Sequence, residues 1–378
     1  MLVKTKNGVK TMKFIHLSDL HIGKKVNEFS MIKDQIYVLD QILDIIKNEN
    51  ISAVVIAGDV YDKSIPPVEA VNIFDDFLTQ ITLEKIPVLI ISGNHDSPER
   101  LGFGSTIMRN NGVYIYSVFD GTMHSVNIDG VDFYMLPFIK PAVVKRYYPE
   151  VESYEDAARE VIKGSDIDMS GKNVILSHQF ITASDRETMR SDSESISVGG
   201  LDNIDASVFD GFDYAALGHI HRPQFIRDNI RYCGSPLKYS FSEAPYNKSV
   251  TVVDTEDFSV KTIPITPLHD MRMIKGDMET VLSKEISSSA DCNDYLHITL
   301  TDKDRIVDAM DKVRNVYPNV MQLEFQMDKT ESRGIYEAED ISIKTPLQLF
   351  NEFYKIQNGT EMSDEQREIV SSFMEEEE

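Results

Sequence analysis

From Met12 onward the chain alternates short apolar runs with stretches of helical periodicity. Phe14 to Leu17 has the length of a strand. Ile32, Ile36, Leu39, Leu43 and Ile46 then recur at three- and four-residue spacings, which predicts an amphipathic helix. Ala53 to Ala57 is a buried-type strand, Val71, Phe74, Leu78 and Ile81 mark a second helix, and Val88 to Ile91 a third strand. This β-α-β-α-β start implies a sheet of parallel strands covered by helices. After residue 112 the runs are shorter, as in Val113 to Val118 and Val131 to Leu136. They predict a second sheet packed on the first. Two further strands follow at Val174 to Leu176 and Tyr214 to Leu217.

Beyond Pro267 a compact β-α-β-α-β unit is expected. It comprises Met271 to Lys275, a helix over Met278 to Ile286, Tyr295 to Leu300, a helix over Asp304 to Val316, and Val320 to Gln326. Between Pro346 and Met374, Leu347, Phe350, Phe353, Tyr354, Ile369, Val370 and Phe373 fall at helical spacing. Such amphipathic helices serve as docking surfaces. The predicted fold class is α/β, a two-sheet β-sandwich core flanked by helices. A disordered extension is expected over 1–11, a catalytic domain over 12–267, a small α/β domain over 268–335, and C-terminal helices with an acidic tail over 336–378.

Composition narrows the function classes. No apolar stretch reaches the length of a membrane helix and the N-terminus lacks a signal-peptide core, so a cytoplasmic place is expected. Cys233 and Cys292 are too few and too far apart for a disulfide framework or a thiolate metal site. The formal charge is −24. From Lys329 to the end, five basic residues face thirteen acidic ones. A chain so acidic does not grip a polyanion by itself, because phosphate contacts need a basic footprint. A metal centre or a partner would have to supply positive charge.

The chemistry lies just after the strands. Five apolar runs lead into Asp19-Leu20-His21, Gly58-Asp59, Gly93-Asn94-His95-Asp96, His178, and Gly218-His219-Ile220-His221. Ligands collect at the carboxyl ends of strands in open α/β sheets, so these residues should converge. Residues two apart in extended chain point to one side, which suits Asp19 with His21 and His219 with His221. The donors are nitrogen and oxygen only, which fits Mn²⁺, Fe²⁺ or Zn²⁺. Seven ligands suffice for two ions if a carboxylate bridges them, the arrangement used for in-line attack at phosphorus. A single Asp-x-His or Gly-Asn-His-Asp is more often structural. Five of the nine histidines sitting just after buried strands is a different matter, because unpaired imidazoles and carboxylates there would cost stability. His16, inside the first strand, reads as a hydrogen-bonded core residue. His124, His269 and His297 carry no partner signal.

These segments together resemble the calcineurin-like metallophosphoesterase signature. Ser197 to Asp202, Leu217 to Gln224 and Gly234 to Glu243 are further similar to the bacterial SbcD nuclease subfamily, and the likeness runs from Met12 to about residue 365. It implies a first metal held by Asp19, His21, Asp59 and His221. A second would be held by Asp59, Asn94, His178 and His219, with manganese the expected ion. His95 takes the place of the family's non-ligand catalytic histidine, with Asp96 either orienting it or capping the following turn. Asp62 stands where some archaeal relatives carry a histidine.

The implied reaction is DNA phosphodiester hydrolysis, as double-strand exonuclease and single-strand endonuclease. The implied partners are DNA ends and hairpins, an SbcC-like SMC-type ATPase, and a second nuclease subunit in a heterotetramer. Helices at Val71 to Ile81 and Pro98 to Met108 are candidates for the subunit pairing, the unit after Pro267 would cap the DNA-binding face, and a nucleoid-associated place follows. No phosphate-binding Gly-x-x-x-x-Gly-Lys-Ser/Thr loop is present, so any ATP dependence belongs to the partner. The rival readings are a small-nucleotide phosphodiesterase with the same metals and, last, a non-catalytic scaffold.

Overall fold

The computed structural model describes residues 12–183, 188–194, 202–302, 304, 306–326, 346–358 and 360–375. The expected extension over 1–11, the stretch 197–201 and all of 327–345 lie outside the described residues. Two six-stranded sheets form the centre. In the first, Lys13–Leu17, Ala53–Ala57, Val88–Ile91 and Val113–Tyr116 run parallel, and Ser249–Asp254 and Val260–Pro264 extend it antiparallel beyond Lys13–Leu17. In the second, Val131–Leu136, Lys172–Ser177, Tyr214–Leu217 and Ile230–Tyr232 are parallel, with His124–Ile128 and Gln224–Arg227 as antiparallel edges.

Side-chain alternation explains why the sheets stack. Phe14, Val55, Leu89 and Ile91 share a core with Phe133, Met135, Val174, Leu176 and Tyr214 of the other sheet. The residues between them point outward. Ile15, Val54, Ile56 and Ile90 pack under helices Ile32–Asn48 and Val68–Leu83. Tyr134, Ile175, Ala215 and Leu217 pack under helix Tyr154–Lys163. Strands buried on both faces must read as continuous apolar runs, which is why they are conspicuous in the sequence.

Two expectations about helices need correction. The buried stripe of Ile32–Asn48 runs through Gln35, Val38, Leu39, Ile42 and Ile46, and Ile36 is 42% exposed. Pro98 to Met108 is not one helix but two single turns, Pro98–Leu101 and Ser105–Met108. Gly104 between them adopts φ 76°, a left-handed conformation that ends any continuous helix. Phe103 and Ile107 are 83% and 73% exposed on this segment.

Met271–Gly276, Tyr295–Leu300 and Val320–Phe325 form a three-stranded parallel sheet with its own core of Leu296, Ile298, Leu300, Val313 and Tyr317. Its covering helices are shorter than the periodicity suggests: Met278–Val281, Lys284–Ser287 and Ala309–Arg314. Met271, Tyr295 and Met321 join the core of the main sheet. The buried carboxylate of Asp34 ties the two units by accepting from Tyr295 Oη at 2.8 Å and pairing with His269 Nδ1 at 3.0 Å. Helices Pro346–Asn358 and Asp364–Glu375 pack on each other. Among the described residues no helix is long and apolar enough to cross a membrane.

Candidate metal centre

The strands that carry the candidate ligands are the parallel strands of both sheets, so their carboxyl ends meet at one edge of the sandwich. The first two loops zip together there. The amides of Asp19, His21 and Ile22 donate to the carbonyls of Gly58, Asp59 and Val60 at 2.9–3.0 Å. Asp19, His21, Asp59 and His219 have φ of 53°, 44°, 52° and 99°. Side chains rarely tolerate this region, and here it gathers on ligand positions held down by the surrounding hydrogen bonds. Glycines make the room. A Cβ on Gly218 would lie 2.0 Å from the Ala57 carbonyl and 2.7 Å from His178 Nδ1, and one on Gly93 would lie 2.0 Å from Asp59 Oδ1.

The donors sort into two groups that overlap at the buried carboxylates Asp59 and Asp19. His21 Nε2 and His221 Nε2 face each other at 3.1 Å, and Asp19 converges with both. Asn94 Oδ1 lies 3.1 Å from His178 Nε2 and 2.9 Å from His219 Nδ1. Between the groups stands Asp59, whose Oδ2 is 3.6 Å from His21 Nε2 and 3.3 Å from His178 Nε2. Asp19, His21, Asp59, His178 and His221 are essentially sealed from solvent, and Asn94 and His95 line the open side. Two buried carboxylates among four buried imidazoles, with acceptor atoms aimed at common points, form a donor set that divalent cations fit.

Partners behind the ligands set their tautomers. His178 Nδ1 donates to the Ala57 carbonyl at 2.7 Å, so neutral His178 presents Nε2 inward. Asp59 Oδ1 accepts the His95 amide at 2.9 Å. The His95 ring lies 4.9 Å from the His21 ring, edge to face, and its Nδ1 meets the Asp62 carbonyl at 3.1 Å. Asp62 itself pairs with Lys24 at 2.6 Å. Asp96 accepts from the amides of Val60, Tyr61 and Gly93 at 2.9–3.2 Å, so its carboxylate shapes the loops. Burial, then the nearby Asp59 charge, pushes Asp96 up to about 6.

Burial opposes the charged form of His178, yet the Asp59 and Asp19 carboxylates carry its pKa to about 9. At neutral pH, metal-free His178 therefore holds a proton that a cation at Nε2 must displace. We expect about one proton to be released on Mn²⁺ binding at pH 7.5, read by calorimetry in buffers of different ionisation heat. Affinity should rise roughly tenfold per pH unit up to about 9, the metal-free value. A pH-independent affinity over that window would contradict the pairing.

Several contributors carry no motif in the sequence. Gln35 Nε2 donates to the His21 carbonyl at 2.7 Å and to Tyr239 Oη at 3.1 Å, tying the first ligand loop to the helix behind it. Ser193, Glu194, Glu243 and Lys248 surround His221. Gln35 lies on helix Ile32–Asn48 and Glu243 closes the stretch Gly234 to Glu243, while Ser193, Glu194 and Lys248 lie between elements; the contacts of all five with the ligand loops join residues far apart in the chain. The histidines without a partner signal do have partners: His124 meets Asp120 at 2.8 Å, His269 meets Asp34, and His297 lies 3.4 Å from Glu324. His16 is buried in the first strand between Tyr214 Oη at 3.0 Å and the Leu217 carbonyl at 3.2 Å. Both cysteines are free thiols.

Comparison with known proteins agrees with the arrangement. Residues 12–223 match the family of calcineurin-like phosphoesterases, and residues 267–358 match the type 5 capsule protein repressor C-terminal domain. The chain belongs to the calcineurin-like phosphoesterase family. It is 33% identical over 374 residues to the SbcD subunit of nuclease SbcCD from Staphylococcus epidermidis, covering 96% of this chain and 98% of that protein. That likeness places it in the SbcD nuclease branch, whose members are metal-dependent hydrolases. Two solved structures are more distant. The TT1561 protein of Thermus thermophilus aligns at 9% identity and TM-score 0.39, covering 67% of this chain and 99% of that one. A dimetal phosphatase from Danio rerio aligns at 11% and 0.40, covering 68% and 96%.

Proposed function

We propose that this chain hydrolyses DNA phosphodiester bonds as the nuclease subunit of a complex with an SMC-type ATPase. The observation that carries the reading is Asp59 Oδ2, poised between the His21 and His178 sides of the donor set. Asp19, His21, Asp59 and His221 would hold one divalent ion, and Asp59, Asn94, His178 and His219 the other. With two divalent ions, manganese by preference, these residues would hold charge that draws in the phosphodiester, offsets charge building on its oxygens and activates water.

The chain's own residues do the rest. The hydrogen bond that the His95 amide donates to Asp59 Oδ1 fixes His95 beside the proposed metal cluster, on its open side. With Nδ1 donating to the Asp62 carbonyl, the His95 ring passes protons at Nε2, where it would serve the leaving oxygen. Tyr61, Asp62 and the Lys24 ion pair close the neighbouring wall.

The acidic balance of the chain assigns strong DNA binding to the assembly rather than to this subunit. Helices Pro346–Asn358 and Asp364–Glu375 would receive the ATPase coiled coil. The exposed Val68, Phe103 and Ile107 would pair two nuclease subunits, and the three-stranded unit would cap the DNA-binding face. A cytoplasmic, nucleoid-associated enzyme follows from this partner set.

The test is cleavage of linear duplex and single-stranded DNA in Mn²⁺, with and without chelator, with and without the ATPase. Metal-dependent cutting that chelation abolishes is expected. Intact DNA under all these conditions, alongside hydrolysis of a small nucleotide diester, would transfer the activity to small substrates.

A further inference from the structure

His221 is held at every polar atom except Nε2. Its amide donates to Glu194 Oε1 at 2.8 Å, and its carbonyl accepts from Lys248 Nζ at 2.8 Å. Its Nδ1 lies 2.8 Å from Ser193 Oγ, which donates to Glu243 Oε1 at 2.6 Å. Glu243 in turn pairs with Lys248 Nζ at 2.5 Å. Glu243 and Lys248 are fully buried, 0% and 4% exposed. The counterpart differs: among the described residues His21 Nδ1 has no hydrogen-bond partner, and the Asp62 carboxylate stands 3.7 Å away.

Counting protons sets the direction of this chain. Glu243 faces the Lys248 ammonium in a buried ion pair and takes the Ser193 hydroxyl hydrogen bond, the geometry of a carboxylate. An ionised carboxylate only accepts, so the single Ser193 hydroxyl proton goes to Glu243. The Ser193 oxygen must then accept from His221, which places the imidazole proton on Nδ1. Nε2 is left as a bare lone pair aimed at the His21 side of the cluster.

We propose that Lys248, Glu243 and Ser193 form a proton-ordering relay that presets His221 as a metal ligand, with Ser193 the positioning residue. Docking of Ser191–Glu194 then completes the first metal position, because Ser193 and Glu194 reach His221 from that one segment. The relay also gives two subfamily-type stretches a physical task. Leu217 to Gln224 carries the ligand, and Gly234 to Glu243 ends on the carboxylate that orders it.

This inference rests on the assignment of His221 to the first metal, and the experiment separates the two. Mn²⁺ titration of the full chain by calorimetry compares wild type, Ser193→Ala, Ser193→Thr and His221→Ala, with metal-free melting as a control. In Ser193→Ala one of the two ions should bind about 10- to 100-fold more weakly, the usual cost of losing an outer-shell partner. The other ion and the metal-free melting temperature should stay unchanged, and Ser193→Thr should restore the affinity. Wild-type affinities in Ser193→Ala, with one ion lost in His221→Ala, would overturn the relay while sparing the assignment. Joint weakening of both ions, or no rescue by threonine, would make Ser193 a packing residue and also overturn it. Two ions retained in His221→Ala would remove the assignment itself and the relay with it.

Discussion

Replacing Asp59 by asparagine is expected to disturb both metal positions at once and to lower DNA cleavage by at least about 10³-fold. Most ligand substitutions in such a centre should affect one ion. Asp59 Oδ2 lies 3.6 Å from His21 Nε2 and 3.3 Å from His178 Nε2, closer to His178 than Asp19 Oδ1 at 4.0 Å. The other Asp59 oxygen accepts the His95 amide, so the same side chain positions His95. Asparagine keeps the volume but loses the charge. The His178 ring then loses the carboxylate chiefly responsible for holding its proton, and its pKa should fall from about 9. The variant should therefore bind fewer than two Mn²⁺ per chain and release less than one proton on binding, both read by calorimetry. Loss of one ion with the other at wild-type affinity would mean that Asp59 serves a single metal.

The second large effect is expected at His95. His95→Ala should retain both ions while cleavage falls about 10²- to 10⁴-fold, the range of a lost general acid. A competing geometry sharpens this test, since His95, His21 and Asp62 also converge closely enough to hold a cation. If His95 were a ligand, the alanine variant would lose metal. If it protonates the leaving oxygen, metal content holds and the defect depends on the leaving group. A p-nitrophenyl diester, which departs without a proton, should be hydrolysed by His95→Ala with a much smaller deficit than DNA. Equal deficits on both substrates, or loss of an ion, would exclude the acid role.

The split between what was legible and what was not follows from distance along the chain. The strands Ala53–Ala57, Val88–Ile91, Val131–Leu136 and Tyr214–Leu217 appear as apolar runs because burial on both faces demands apolar residues at every position. The candidate donors after Lys13–Leu17, Ala53–Ala57, Val88–Ile91, Lys172–Ser177 and Tyr214–Leu217 are equally local, and Asp19, His21, Asp59, Asn94, His178, His219 and His221 meet at one edge. Helix faces were less legible. Ile36 fits the period but points to solvent, because rotation of the helix is chosen by the sheet beneath it. The break at Gly104 likewise needed a backbone angle that apolar spacing does not encode.

By itself, then, the sequence determined the alternation of strands and helices and the nitrogen- and oxygen-bearing side chains at strand ends. Those properties follow from period and position, which a chain displays locally. Only the tertiary structure decided which donors face one another. His21 and His221 meet across 200 positions, and Asn94 reaches His219 across 125. It alone decided that Asp59 stands between the groups, that Asp96 holds backbone amides, and that Ser193, Glu243 and Lys248 order the His221 proton. Such contacts join polar residues on distant loops, where neither hydrophobic periodicity nor local spacing leaves a trace.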